Sequence, residues 1–145
     1  MTARTTTAAA TAMSAAELKS AREHMGFTTR WLSARLGVTE RTLQRWEEDN
    51  QVIREHLAAE VRQLIAHTDQ TVEALITSLK SAPQSSRVLS TFRAHDAVAN
   101  DALADPTVSG EHAAPLPASW HRIVCARAAS RVPGAVITYT TEAVT

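Results

Sequence analysis

Glu40, Arg41, Gln44, Arg45 and Glu48 fall at a spacing that gathers all five side chains on one face of a helix. They belong to the types that read base edges. Arginine grips guanine O6 and N7 bidentately, and glutamine pairs with adenine N6 and N7. With Thr39 just before the run, the candidate base-reading set is Thr39, Glu40, Arg41, Gln44 and Arg45. A second pair, His121 and Cys125, shares a helical face at four residues' separation. Two ligands make no zinc site, and none of the other five histidines stands at a paired spacing with them, so no metal is expected. As nucleophile and base the pair lacks an orienting third group and an oxyanion device, so no enzyme is expected. The chain has no phosphate loop, GxSxG, HExxH or paired CxxC, and no cofactor is indicated.

The base-reading set needs a scaffold, and the residues around it have the spacing of a helix-turn-helix. Leu32, Leu36, Val38, Leu43 and Trp46 are spaced to share a core, small Ser33 lets helices approach, and Gly37 marks the turn. Ser14 with Glu17 three residues later is a capping box, opening a helix to about His24 that Gly26 stops. Thr28 caps a second helix through Leu36, ended at Gly37 where a positive φ is cheap. Thr39 caps a third, to about Asp49. Thr28, Thr29 and Arg30, at the amino end of the second helix, are placed to hold phosphate, and Arg35 and Thr42 complete the candidate backbone contacts.

Charge supports this locally, not globally. Fifteen basic and fifteen acidic residues cancel over the 145-residue chain. Arg30, Arg35, Arg41 and Arg45 nevertheless sit on the second and third helices, while Glu47, Glu48 and Asp49 cluster at the third helix's far end, which leaves the groove in this geometry.

At these residues the chain resembles the lambda-repressor-like (XRE-type) helix-turn-helix superfamily, through the phrase from Leu32, Leu36, Gly37 and Val38 to Thr42, Leu43, Trp46 and Glu47. Within it, residues 41–47 and a Pro-Ala-Ser-Trp-His phrase at residues 117–121 look like the YdiL-like and anti-CRISPR-associated repressor group. The resemblance implies a homodimeric repressor that binds an inverted repeat in double-stranded DNA and often controls its own operon. It places base reading on Arg41 and Gln44, with Arg45 and Thr39 beside them. It also places Arg22 and Glu47 where family members form a structural ion pair between the first and third helices.

The rest of the chain is expected to support that head. Residues 1–13, nearly all threonine and alanine up to Ala12, read as a disordered tail. Over residues 54–81, Leu57, Val61, Leu64, Ile65, Val72, Leu75, Ile76 and Leu79 recur with a period of about 3.67, a straight amphipathic helix in place of a coiled coil. Residues 83–86 read as a linker, 87–92 as a strand, 100–117 as loop, 118–132 as a helix broken by Pro133-Gly134, and 135–140 as a strand able to pair with the first. The expected fold is therefore mainly α. Residues 14–82 form the helix-turn-helix domain with its long fourth helix, and residues 87–145 a small α+β dimerisation unit with Trp120, Ile123, Val124 and Tyr139 at its core. The two heads of a dimer would sit about one DNA turn apart, near 34 Å.

No apolar run approaches the length of a membrane span, and no apolar segment follows a basic start at the amino end, so neither membrane nor secretion is expected. A lone cysteine suits a reducing cytoplasm. The alternative expectation is an antitoxin or adaptor whose residues 87–145 bind a partner protein.

Overall fold

A computed structural model describes residues 12–48, 52–94, 103–107 and 115–140. The chain divides into two compact units, residues 1–66 and 67–145. Helices dominate the described residues, with one small parallel sheet.

The first unit holds α1 (Ala15–His24), α2 (Thr29–Leu36), α3 (Glu40–Glu48) and the first part of α4 (Glu55–Ser81). Each of the first three helices starts where its side-chain cap is. The hydroxyl of Ser14 accepts from the Glu17 N–H at 3.1 Å, that of Thr28 from Trp31 at 3.0 Å, and that of Thr39 from Thr42 at 3.1 Å. Helix α2 stops at Gly37, whose φ of 73° is a left-handed cap; a Cβ there would meet nothing within 4 Å, so backbone conformation and not space calls for glycine. Leu18, Leu32, Leu43, Val61 and Leu64 are completely buried and make the centre of this core. Val38 and Trp46, expected inside, are half-buried at its margin. Trp31 stacks on Phe27, ring centroids 4.4 Å apart.

Residues 1–11 of the expected tail lie outside the described residues. Met13 does not behave as tail: its side chain is buried, and its carbonyl accepts from the Ile53 N–H at 3.4 Å. An apolar side chain beside the Ser14 cap has a core to enter, which moves the start of the folded unit toward the amino terminus.

Arg22 and Glu47 form the ion pair that the resemblance implies. Arg22 Nε donates to Glu47 Oε2 at 2.7 Å and Nη2 to Oε1 at 3.0 Å, while Nη1 donates to the Phe27 carbonyl at 2.9 Å. One guanidinium thus ties α1, the segment before α2, and α3. Both side chains are largely withdrawn from water. The hydrogen bond to Glu47 holds the guanidinium pKa above its ordinary value, overcoming the opposing effect of burial.

The second unit holds the later part of α4, a 3-10 turn at Gln84–Ser86, β1 (Val88–Thr91), α5 (Ala118–Ala129) and β2 (Val136–Tyr139). The expected boundary at residues 83–86 is therefore displaced into α4. The reason is side-chain commitment: buried Thr68 accepts from Trp120 Nε1 at 2.9 Å, Asp69 pairs with Arg127 at 2.7 Å, and Glu73 pairs with Arg131. Strands β1 and β2 run parallel, Val88 opposite Val136 and Thr91 opposite Tyr139, with α5 between them in sequence as a β-α-β crossover. Trp120, Val124, Cys125 and Ala128 form the buried face of α5.

Two expected core residues of this unit differ. Ile123 is half-buried, and Tyr139 is 42% exposed, with the Arg93 guanidinium 4.1 Å from its ring centroid. Tyr139 ends β2, whereas α5 lies chiefly over β1, whose Leu89 and Thr91 are buried. In the expected loop, residues 103–107 and 115–117 carry neither helix nor strand, yet Leu103 and Leu116 are buried and joined by a 2.7 Å backbone hydrogen bond.

Two predictions follow from this packing. Glu47→Ala leaves a largely buried guanidinium unpaired and is expected to cost about 3 kcal/mol in urea unfolding, whereas Arg22→Met combined with Glu47→Leu costs less than the single change. A single-site loss under about 1 kcal/mol would remove the clamp from its structural role. Burial lowers the pKa of His121 and His67 below the ordinary value of about 6.5, with Asp105 partly opposing it at His67. Below that ordinary value the unfolded chain binds more protons than the folded one, so stability falls as pH drops through it and levels off beneath the lowered folded pKa. Thermal midpoints taken from about pH 7.5 to about pH 5.5 should decline less in a His67→Gln, His121→Gln double variant; an unchanged decline contradicts the assignment.

Candidate nucleic-acid interface

Helix α3 presents its two sides very differently. Leu43 is completely buried, and Glu47 is held by Arg22. The opposite side exposes Glu40, Arg41, Gln44, Arg45 and Glu48, which border one shallow, open depression. Spacing along a single helix suffices for this grouping. Arg41, Gln44 and Arg45 are exposed, and among the described residues their side chains have no hydrogen-bond or ion-pair partner.

The neighbours are more committed. Glu40 Oε2 accepts from Thr29 Oγ1 at 2.7 Å, fixing the first carboxylate of α3 against the amino end of α2. Thr39 caps α3, and its hydroxyl also donates to Thr42 Oγ1 at 2.9 Å. Thr28 is occupied in capping α2. Of the residues expected to contact the DNA backbone, Arg30 is exposed and has no described partner. Arg35 is turned inward: its side chain is 8% exposed and Nη1 donates to Glu60 Oε1 on α4 at 3.0 Å. That geometry gives Arg35 the task of holding α4 against α2. Neither Glu60 nor the Thr29–Glu40 bond was visible in the sequence pattern, because both partners lie on separate helices and no local spacing links them.

This outward face is electrically balanced, two arginines against two glutamates. It therefore offers directional hydrogen bonds without a strong net field.

The His121 and Cys125 pair lies apart from this face, in the second unit. His121 Nδ1 is 2.8 Å from Thr91 Oγ1 and 3.7 Å from Cys125 Sγ. Burial pushes the thiol pKa up, against the hydrogen bond with Thr91, and pushes the imidazole pKa down. Both groups are held neutral, the opposite of what an activated thiolate needs. Among the described residues no group of three or more His, Cys, Asp or Glu could hold a metal ion, and no helix is long and apolar enough to cross a membrane.

Neither a protein-family model, nor a curated protein, nor a solved structure matches the chain.

The α3 cap supplies a test of the local geometry. Thr39→Ala should lower unfolding free energy by about 1 kcal/mol, and Thr39→Asp, which restores an acceptor, should recover most of it. Equal losses from both variants would mean that the Thr39 hydroxyl does not carry the start of α3.

Proposed function

We propose that the chain is a sequence-specific DNA-binding regulator of the lambda-repressor-like kind, a homodimeric repressor that reads an inverted repeat through the major groove. The observation that carries this reading is the outward face of α3, where Arg41, Gln44 and Arg45 are exposed and have no partner among the described residues while the opposite face is locked into the core.

The roles follow from reach and chemistry. Helix α3 is short enough to enter the groove along most of its length, with α2 crossing above it. Arg41 and Gln44 make bidentate contacts to guanine and adenine, with Arg45 beside them, and Glu40 accepts from cytosine N4. Thr29 steadies that carboxylate. Arg30 and the first-turn N–H groups of α2 contact phosphate, which sets register without selecting sequence. Thr28, Thr39 and Thr42 shape the two helix starts, and Arg35 holds the scaffold. The protein works in the cytoplasm, without a cofactor. Ala/Thr-rich residues 2–12 have no assigned part in it.

Selection from random duplex DNA at about 150 mM salt, where non-specific phosphate binding is suppressed, should enrich a two-fold symmetric site with half-sites about one turn apart. Arg41→Ala and Gln44→Ala should each cost about 1 to 3 kcal/mol on the selected site and relax preference at one base position. Arg30→Ala should weaken all sequences alike and reduce the salt slope by about 1. Absence of any enriched sequence would overturn the reading in favour of a protein-partner role, and a specificity profile unchanged by Gln44→Ala would remove that residue from it.

A further inference from the structure

Thr29 and Glu40 stand on different helices, yet Thr29 Oγ1 donates to Glu40 Oε2 at 2.7 Å. A threonine hydroxyl has one hydrogen, and here it goes to that carboxylate. Glu40 is exposed and would be solvated without the bond, so the bond adds little to stability. Its effect is on direction. The carboxylate is held at the first position of α3 with Oε2 engaged and, among the described residues, with Oε1 lacking a hydrogen-bond partner.

The five outward side chains of α3 fall in two rows. Glu40, Gln44 and Glu48 recur every four residues in one, and Arg41 and Arg45 make the other. The bases answer differently to a carboxylate with one oxygen open. Guanine presents O6 and N7 to the major groove and thymine presents O4, all acceptors, which repel it. Adenine has a donor at N6 beside an acceptor at N7; an amide such as that of Gln44 matches both, whereas a carboxylate meets the N7 lone pair. Cytosine presents its N4 donor with no acceptor of its own beside it.

We propose that Thr29 makes Glu40 a selector for an unmodified cytosine amino group, so that the chain binds DNA whose cytosine N4 is free and rejects the same site when that nitrogen carries a methyl group. The proposal rests on the DNA reading of α3 given above and adds a way of regulating it. In a pair with guanine, one N4 hydrogen of cytosine bonds guanine O6 and the other lies in the major groove. Methylation at N4 leaves a single hydrogen, which base pairing retains, so the methyl group takes the groove position. The carboxylate then loses its hydrogen bond and faces an apolar group in place of water. An untied side chain would swing back to solvent, but one tied to Thr29 must break a second bond to do so. Thr29 is thus a positioning residue that acts through Glu40.

The full chain is put through selection from random duplex DNA, and the enriched site is then synthesised with N4-methylcytosine replacing one cytosine at a time. Wild type should lose about tenfold or more in affinity at one such cytosine, the worth of a charge-assisted hydrogen bond. Thr29→Val, which keeps the shape of the side chain and removes the hydroxyl, should shrink that loss and weaken the preference for cytosine over thymine at the same position. The preferences at the bases read by Arg41 and Gln44 should stay as they are. Thr29→Ser, which restores the hydroxyl, should recover wild-type discrimination, with helical circular dichroism retained in both variants. The methylated duplexes test the unaltered protein, so the proposal does not depend on any variant folding. An enriched site with no methyl-sensitive cytosine, or a sensitivity that Thr29→Val leaves unchanged, overturns the proposal while the DNA reading stands. Absence of any enriched sequence removes the DNA reading and the proposal with it.

Discussion

The forked contact of Arg22 with Glu47 and the Phe27 carbonyl is the constraint on which the first unit depends. Helix α3 is nine residues long, below the length at which an isolated helix holds in water, and Leu43 is its one buried apolar residue. A single leucine anchors a helix at a point and leaves its rotation open. The second anchor, one turn later at Glu47, fixes that rotation because a planar guanidinium accepts a carboxylate in few orientations. The direction in which Arg41, Gln44 and Arg45 point is thus determined by residues on the other side of the same helix. Replacing the pair by apolar residues need not unfold the unit, but it would trade a directional contact for a non-directional one.

Around that clamp, polar side chains divide into those that close on the protein and those left open. Ser14, Thr28 and Thr39 satisfy orphan N–H groups at helix starts, Ser33 satisfies itself on the Arg30 carbonyl, and Arg35 reaches Glu60. Among the described residues no buried side-chain nitrogen or oxygen lacks a partner. Against that background Arg41, Gln44 and Arg45, exposed and with no partner among the described residues, stand out from Arg22 and Arg35, which each hold a carboxylate. Glu40 is intermediate, exposed yet tied to Thr29, and the tie removes rotamer freedom that a base contact would otherwise have to remove.

Features set by neighbours in sequence were legible from it. Threonine caps, the left-handed Gly37, the amphipathic period of α4 and the two short strands each depend on residues within a few positions of one another. The grouping of Glu40, Arg41, Gln44, Arg45 and Glu48 on one exposed face was legible for the same reason, since one helix carries all of it. What was not legible depends on contacts between elements. The period of α4 is unbroken through residues 57–79, so nothing in it announces that Val61 and Leu64 serve one core while Thr68, Val72 and Ile76 serve another. Arg35 looked like a phosphate ligand because its partner Glu60 is on a different helix. Tyr139 looked like core because an aromatic residue in a β-branched run usually is; its exposure goes with the placement of α5 chiefly over β1, which sequence spacing does not specify.

The second unit obeys the same physics with fewer apolar side chains to use. Its buried residues on α5 are Ala118, Trp120, Val124, Cys125 and Ala128, four of them small or medium in size, and Trp120 must also satisfy its indole N–H on Thr68. His121 and Cys125 fill the space beside Thr91 as neutral groups, which burial favours and ionisation would forfeit. A helix with so narrow an apolar stripe lies chiefly over one strand, β1, and less over β2. The exposure of β2 is then a consequence of helix composition, and a larger residue at Ala128 or Ala129 could not correct it without overfilling the packed side.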